Sequence, residues 1–270
     1  MSSLRRRHAL VAASATALLS ACAGTARPPA TPARRHHVLV HGAWHGAWAW
    51  HRLAPLLRQA GHTVSTPTLS GLGERAHHAP GRSGLDVHVQ DILSHLQMED
   101  LRQVVLVGHS YAGCVVSGVL AARPGRVAHA IYLDAFVPTN GQGLASNVPP
   151  PVKADCEKLA AGEGLVPPPP PASWGQRWGV SDPALLAWAQ ARITPQAALS
   201  FTQGVQGDPF ADATVRLSYL TWAQNPNPGF KAVAAAVQKS PRFHDAKVDG
   251  HHNLMLIHPE RLAAALLALG

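Results

Sequence analysis

The chain has 270 residues, of which 46% are apolar and 14% are charged. That length and balance are typical of one globular domain with a large core, and they exclude an intrinsically disordered chain. The formal net charge is +8, but six arginines lie within the first 35 residues, and without them 17 basic residues face 15 acidic ones. The sequence has no basic stripe with interleaved aromatic residues, so we expect no nucleic-acid partner.

The first 22 residues have the order of a bacterial export signal. Basic residues at 5–8 precede an apolar, alanine-rich run at 9–19, which is too short to cross a bilayer as a permanent helix. The run ends in Leu-Ser-Ala-Cys, which resembles the cleavage box of bacterial lipoproteins. We therefore predict a signal peptide at residues 1–22, lipidation at Cys22, and an exported protein anchored to a bacterial membrane in the periplasm or at the cell surface. The alternative is an ordinary secretory signal in which Cys22 has no role.

A short linker is predicted between this signal and the folded domain. Residues 24–32 are rich in Pro, Ala and Thr, a composition typical of a tether. We assign residues 23–36 to the linker and residues 37–270 to the domain. After Cys22 only Cys114 and Cys156 remain, and we expect free thiols, although export would allow a disulfide between them.

From residue 37 onward, strand patterns alternate with helix patterns. This alternation predicts an α/β domain in which a parallel sheet carries helices on both faces. The predicted strands span residues 37–41, 63–69, 103–107, 128–133, 215–222 and 243–248, and the predicted helices span residues 48–60, 85–100, 110–122, 230–238 and 259–269.

The alternation stops between residues 139 and 212. Residues 167–171 are five consecutive prolines, which neither a helix interior nor a central strand accepts. The same stretch contains Trp174, Trp178 and Trp188, and disordered segments rarely carry aromatic residues. We interpret residues 139–212, hereafter the cap segment, as an inserted cap over the carboxyl edge of the sheet rather than as a long disordered loop.

The clearest motif lies where the strand at residues 103–107 meets the following helix. The sequence there is Gly-His-Ser-Tyr-Ala, with Ser110 at its centre. In a nucleophile elbow the serine occupies a strained turn, so the residues two before and two after it must be small, as Gly108 and Ala112 are. The helix that follows would favour negative charge developing beside the serine. We predict Ser110 as the nucleophile.

A glycine-containing turn follows the first predicted strand at residues 41–48. Such a turn can place a backbone N–H above the nucleophile, so we predict the N–H groups of Ala43 and Tyr111 as an oxyanion hole. The alternative is a strand-to-helix turn without a catalytic role. We interpret His41 as a structural residue of this turn.

These two motifs resemble the plant methylesterase and hydroxynitrile lyase branch of the α/β-hydrolases and its bacterial esterase relatives. Residues 71–75, Gly-Leu-Gly-Glu-Arg, and residues 132–138 resemble the bacterial members. The resemblance covers residues 37–270 and is weakest across residues 149–199. It implies an α/β-hydrolase fold, with a mainly parallel sheet and an inserted cap, and the general chemistry of that family.

The catalytic base is expected between the last strand and the last helix, where His251 and His252 lie. In the family a histidine precedes a methionine by three positions, which selects His252 because Met255 follows; His251 stays the alternative. Neighbouring histidines seldom share one metal ion, and no further ligands occur at a recognisable spacing, so we expect no metal site. His77 and His78, in a loop rich in Gly and Pro, are interpreted as solvated.

The triad acid is the least determined residue. Plant relatives carry it after the seventh strand, but residues 222–226 contain no carboxylate, and Asn225 falls near the expected position. Asp134 ends the preceding strand, an alternative acid position in this superfamily, and both strand ends face the same edge of the sheet. We predict that Asp134 orients His252; the alternative is an aspartate that caps a helix or anchors a loop. Asp245 and Asp249 are weaker candidates.

These residues together predict a serine esterase that hydrolyses small to medium carboxylic esters through an acyl-enzyme intermediate, with a small-molecule substrate and no cofactor. One alternative is a hydroxynitrile lyase, but plant lyases have a lysine directly after the catalytic histidine, where this chain has Asn253. Another is a non-catalytic lipoprotein that binds a hydrophobic ligand under its cap. Dehalogenases and epoxide hydrolases of this fold need a carboxylate at the position of Ser110, so the serine there disfavours both classes.

Overall fold

The computed structural model describes residues 34–79, 81–123 and 125–270. The predicted signal peptide, with Cys22, lies outside these residues, as does nearly all of the predicted linker. None of the helices in the described ranges combines the length and the apolar character that crossing a membrane requires.

Six parallel strands form the main sheet, in the order β2-β1-β3-β4-β7-β8. Two further short strands, β5 and β6, pair with each other in antiparallel fashion. In chain order the strands are β1 (His36–Val40), β2 (Thr63–Ser65), β3 (Val104–His109), β4 (Val127–Leu133), β5 (Leu165–Val166), β6 (Gln196–Ala197), β7 (Arg216–Trp222) and β8 (Phe243–Val248). Because all strands of the main sheet are parallel, their carboxyl ends meet at one edge, where such folds bind their ligands.

The helices cover both faces of this sheet, as the sequence predicts. In chain order they are α1 (Leu53–Gln59), α2 (Leu85–Met98), α3 (Ala112–Ala121), α4 (Pro150–Ala161), α5 (Trp174–Trp178), α6 (Pro183–Gln190), α7 (Leu199–Thr202), α8 (Pro228–Gln238), α9 (Leu254–Ile257) and α10 (Pro259–Ala268). Val38 and Val40 of β1 pack with α2, α3 and α8 on one face. Leu39, which points the other way because strand side chains alternate, packs with α1 and α10.

Two predicted elements near the start of the domain are shorter than expected. The predicted helix at residues 48–60 is a 3₁₀ turn at Ala47–Trp50 followed by α1, in which Pro55 lies in the first turn, where its missing N–H costs no helical hydrogen bond. The predicted strand at residues 63–69 ends at Ser65, because Pro67 has no N–H to donate to the sheet. The first strand begins at His36, one residue before its predicted start.

The predicted helix at residues 110–122 begins later, at Ala112. Ser110 has a φ of +57°, in the left-handed region, so it cannot be part of a right-handed helix. The predicted nucleophile therefore lies in the turn between β3 and α3 rather than in the helix.

The cap segment contains α4–α7 and the β5-β6 pair. Trp174, Trp178, Val180 and Ala189 are buried together in a small apolar cluster of its own. The loop after β1 is tied to this segment, since the Thr194 N–H donates to the carbonyl of Trp44 at 3.1 Å. The segment thus contacts the carboxyl edge of the main sheet.

Candidate active site

Ser110 occupies a strained turn that two neighbouring strands hold in place. Its N–H donates to the carbonyl of Leu133 at the end of β4, and its carbonyl accepts from the N–H groups of Gly113 and Phe136. A Cβ at Gly108 would lie 2.6 Å from Val116 and 2.8 Å from the carbonyl oxygen of Ala112. Gly108 is therefore required for α3 to start so close behind the strand, which aims Ser110 at the carboxyl edge.

Asp134 and His252 meet at this edge. His252 Nδ1 lies 2.7 Å from Asp134 Oδ2, and both side chains are buried. Since a carboxylate accepts hydrogen bonds, Nδ1 carries the proton, and Nε2 is left with a free lone pair that can accept one. The structure thus joins the predicted base to the predicted acid.

Asn225 is the third member of this group. Its side-chain nitrogen donates to Asp134 Oδ2 and lies 3.4 Å from His252 Nδ1. Because Nδ1 already donates its proton to Asp134, the nitrogen of Asn225 bonds to the carboxylate and not to the imidazole. Asn225, which lies near the position where the plant relatives carry the acid, is therefore in the site as a hydrogen-bond donor to Asp134.

Neighbouring side chains fix the main chain and the ring of His252. Its carbonyl oxygen accepts from His109 Nε2 at 2.9 Å and from Trp222 Nε1 at 3.1 Å. Its ring stacks on Phe230, with centroids 4.9 Å apart, and lies 4.5 Å from the ring of His109. Burial, together with the positive charge that His252 can acquire, holds the pKa of His109 well below its ordinary value, so His109 is a neutral support.

Ser110 lies next to this group but is not hydrogen-bonded to it. A Cβ at Gly42 would lie 3.1 Å from Ser110 Cβ and 2.8 Å from His109 Nδ1, so the turn after β1, the serine and His109 are close neighbours. Among the hydrogen bonds of the described residues, none joins Ser110 Oγ to the imidazole of His252. Such bonds are often long without substrate and shorten when it binds.

The two predicted oxyanion donors lie next to residues at the serine: Tyr111 follows Ser110, and Ala43 follows Gly42, which is close to Ser110. Neither the Ala43 N–H nor the Tyr111 N–H has an acceptor among the hydrogen bonds of the described residues. Both residues are buried. Two unused N–H groups in a water-poor turn are suited to a developing negative charge.

His41 belongs to the framework of this turn. Its Nδ1 donates to the carbonyl of Gly42 at 2.9 Å, and its Nε2 accepts from the N–H of Leu69 at 3.1 Å. Burial lowers its pKa to about 3. With both nitrogens in use and no charge at neutral pH, His41 holds the turn after β1.

A hydrogen-bond chain joins this turn to the loop that carries the base. His45 Nδ1 lies 2.6 Å from the carbonyl oxygen of Ala43, and the Asn253 side-chain amide donates to His45 Nε2 at 3.1 Å. The N–H of Asn253 donates in turn to the carbonyl of Trp178 in the cap segment. Asn253 thus links the loop of His252 to both the turn after β1 and the cap segment.

Among the described residues, none of the remaining candidates is hydrogen-bonded to the Asp134 side chain. His251 packs against Gly179. Asp245 is exposed, and the exposed Asp249 accepts from Gln224 and pairs with Arg261.

His77 and His78 are exposed, and in the described ranges no cluster of three or more His, Cys, Asp or Glu side chains has a geometry that could hold a metal ion. Cys114 and Cys156 are free thiols, and burial raises the pKa of Cys114 to about 12, which makes it inert.

A comparison with protein-family models matches residues 38–265 to the alpha/beta hydrolase family. The chain belongs to this family. The parallel sheet, the strained serine turn and the position of the acid–base pair at the carboxyl edge are the features that this family combines.

Individual relatives within the family are esterases. A carbendazim hydrolyzing esterase from Nocardioides sp. (strain SG-4G) is 34% identical over 86% of this chain and 98% of its own length. Methylesterase 10 from Arabidopsis thaliana is 32% identical over 52% of this chain and 54% of its own length. The chain is therefore a carboxylic ester hydrolase of the alpha/beta hydrolase family.

A solved structure extends the likeness to the whole fold. An extracellular alpha/beta-hydrolase from a Paenibacillus species superimposes with a TM-score of 0.74 at 25% identity, and the match covers 87% of this chain and 99% of that one. That protein is described as sharing structural and functional homology with tobacco salicylic acid binding protein 2.

Sequence reasoning did not foresee two contacts of this site. The bond from Asn225 to Asp134 was missed because an amide at the alternative acid position was treated as a lost carboxylate rather than as a donor. The chain from Asn253 through His45 to Ala43 was missed because its members are 208 residues apart. The sequence did contain one signal for this hydrogen-bond chain, the side-chain amide of Asn253 directly after the predicted base.

Proposed function

We propose that Ser110, His252 and Asp134 form a catalytic triad that hydrolyses small to medium carboxylic esters. Ser110 Oγ attacks the ester carbonyl as His252 Nε2 takes its proton, and Asp134 accepts the Nδ1–H and stabilises the imidazolium. The N–H groups of Ala43 and Tyr111 stabilise the oxyanion. The imidazolium then protonates the leaving alcohol, and a water activated by the same histidine hydrolyses the acyl-enzyme.

One observation carries this proposal, the buried Asp134–His252 pair beside a serine with positive φ. A non-glycine residue with φ above zero is uncommon and stores strain, and Ser110 combines this conformation with a place at the same sheet edge as the Asp134–His252 pair. The unused N–H groups of Ala43 and Tyr111 add the electrostatic part of the machinery. A lyase is not favoured, because the position after the base is Asn253, whose amide is engaged by His45.

Replacement of the serine tests the proposal. Ser110→Ala should abolish labelling by a fluorophosphonate probe and reduce p-nitrophenyl ester turnover by at least about 10³-fold, because it removes the nucleophile. Ser94→Ala, which changes a partly exposed serine on α2, is the matched control and should keep both probe labelling and ester turnover. Full turnover in folded Ser110→Ala protein would refute the serine mechanism.

A substrate panel defines the ester class. Ser110 is only 9% exposed, so we expect turnover to fall with rising acyl chain length. The panel includes carbendazim, because the Nocardioides esterase that is named for hydrolysing carbendazim aligns with this chain over 98% of the esterase's own length.

We also propose that the protein is exported and anchored to a membrane by a lipid on Cys22, as the basic residues, apolar run and Leu-Ser-Ala-Cys box at residues 5–22 indicate. Cys22→Ala should shift the protein from the membrane fraction to the soluble fraction, whereas Cys156→Ala should leave it at the membrane. Stable anchoring requires more than one lipid chain, so mass spectrometry of the wild-type protein should find several. A soluble wild-type protein without lipid would contradict the proposal.

A further inference from the structure

Neighbouring residues hold the side chain of Asn225, in the loop after β7, in one orientation. Asn225 Oδ1 accepts from the N–H of Asn227 at 2.9 Å, so the amide nitrogen must face the opposite way, toward Asp134. Asn227 is itself fixed, because its side chain accepts from the N–H of Gly229 at 2.8 Å and caps α8. The amide of Asn225 is thus oriented by the start of a helix.

The carboxylate it meets has few other partners. Asp134 is 1% exposed, its Oδ2 accepts from His252 and Asn225, and its Oδ1 has no partner among the described residues. Tyr219 lies close, but its hydroxyl donates to the carbonyl of Ala135 at 3.0 Å and is not available to the carboxylate. An ionised carboxylate in such a setting depends on the donors that remain, because burial disfavours its charge.

We propose that Asn225 is a positioning residue that holds the ionised Asp134 carboxylate against His252, so that the end of β7 supports an acid supplied by the end of β4. The inference rests on the proposed triad. Asn225 bonds to the acid and does not take part in bond making or breaking. Its amide is neutral, so it stabilises one negative charge without adding another to the site.

The groups that face Asp134 define how the site responds to pH. They are His252 after β8, Tyr219 on β7 and, behind His252, His109 on β3. Burial and the Asp134 charge keep the pKa of Tyr219 well above its ordinary value, and burial keeps His109 neutral. Tyr219 and His109 are therefore both uncharged near neutral pH.

Asn225→Leu removes the donor and keeps a similar volume. We expect kcat to fall about tenfold to hundredfold, since one hydrogen bond to a charged group is lost, while KM changes little. The acid limb of the pH profile of kcat/KM should move to higher pH, because a carboxylate without this donor holds a proton more strongly. Gln224→Leu changes an exposed amide of the same loop, whose partner is Asp249. It should change neither kcat nor the acid limb of the pH profile.

An exchange of the two side chains gives a sharper test. Asp134→Asn should lower kcat by about 10²- to 10⁴-fold, as expected for a triad acid. The double variant Asp134→Asn with Asn225→Asp exchanges the two groups. The carboxylate then lies at position 225, whose amide nitrogen is now 3.4 Å from His252 Nδ1, and the amide lies at position 134. It should recover at least tenfold in kcat over Asp134→Asn. Asn225→Asp alone should shift the acid limb upward, because two carboxylates cannot both ionise easily at this distance.

The outcomes separate this inference from the proposed function. If Ser110→Ala keeps full turnover, the triad itself is wrong. If Ser110→Ala is inactive but Asn225→Leu has wild-type kcat and an unshifted acid limb, the triad stands and the role of Asn225 is wrong. A double variant no more active than Asp134→Asn also overturns the role of Asn225, and this comparison holds even if Asn225→Leu does not fold.

Discussion

At the scale of single residues, the partner of each buried histidine decides what it can do. His41 and His45 donate through Nδ1 to backbone carbonyls and accept through Nε2, and His88 donates through Nε2 to the carbonyl of Ser70 and accepts from the Tyr111 hydroxyl. Burial lowers the pKa of His41 to about 3 and those of His45 and His88 to about 4, so all three are neutral scaffolds. His252 alone among these buried histidines has a carboxylate partner, which suits it to the role of base.

A single hydrogen atom at Gly113 sets how closely α3 approaches the loop after β4. A Cβ there would overlap the carbonyl oxygen of Phe136. Gly113→Ala should therefore destabilise the fold by about 1–3 kcal/mol through overpacking, despite the better helix propensity of alanine. Urea denaturation measures the change.

Gly175→Ala is the matched control for Gly113→Ala. It also lies within a helix, but a Cβ there would meet its nearest atom only at 3.7 Å. It should be neutral or stabilise by up to about 1 kcal/mol. Equal effects of the two substitutions would show that the overlap at Phe136 is relieved without cost.

At the scale of elements, the parallel sheet explains why the site could be predicted from distant segments. Ser110, Asp134 and His252 follow β3, β4 and β8, and the carboxyl ends of parallel strands meet at one edge. Strand patterns and the elbow motif therefore predicted that the loops after these strands converge, and the resemblance to the α/β-hydrolases selected His252 and Asp134 within them. The sequence could not predict that Asn225 reaches Asp134, because that contact depends on how the loop after β7 closes over the edge.

The cap segment was harder to predict because local patterns carry little of its structure. Its strands β5 and β6 have two residues each and form only through their pairing. The contact between the cap segment and the turn after β1 depends on single side chains. The side-chain oxygen of Gln196 accepts from the N–H of Trp44 at 2.9 Å, and Trp44 Nε1 donates to the carbonyl of Val166. Contacts of this kind join residues more than 120 positions apart and leave no periodicity in the sequence.

At the scale of the whole molecule, neutral histidines are buried at both edges of the sheet. His37 and His129 lie near the amino edge, opposite the site, and His129 Nε2 lies 2.8 Å from Ser218 Oγ. Burial lowers the pKa of both to about 4, and nearby positive groups, among them Arg35, add to the shift. Burial of His37 and His129 therefore makes the stability of the fold sensitive to acid at the edge opposite the site.

His129 gives this conclusion a direct test. A histidine in the unfolded chain titrates near pH 6.5, whereas the pKa of folded His129 is about 4. Between these values the unfolded chain binds a proton that the folded chain does not, so the free energy of unfolding falls as the pH decreases. From pH 7 to pH 5 this residue accounts for a loss of about 2 kcal/mol.

His129→Gln removes the titrating group and keeps a donor for Ser218. Urea denaturation at pH 7 and pH 5 should then show a loss of unfolding free energy about 2 kcal/mol smaller than in the wild type. Comparing each protein with itself at two pH values cancels any packing change that the substitution causes, because such a change acts equally at both. Identical losses in the two proteins would mean that folded His129 takes up its proton as readily as an unfolded one, and that its burial does not contribute to the acid sensitivity of the fold.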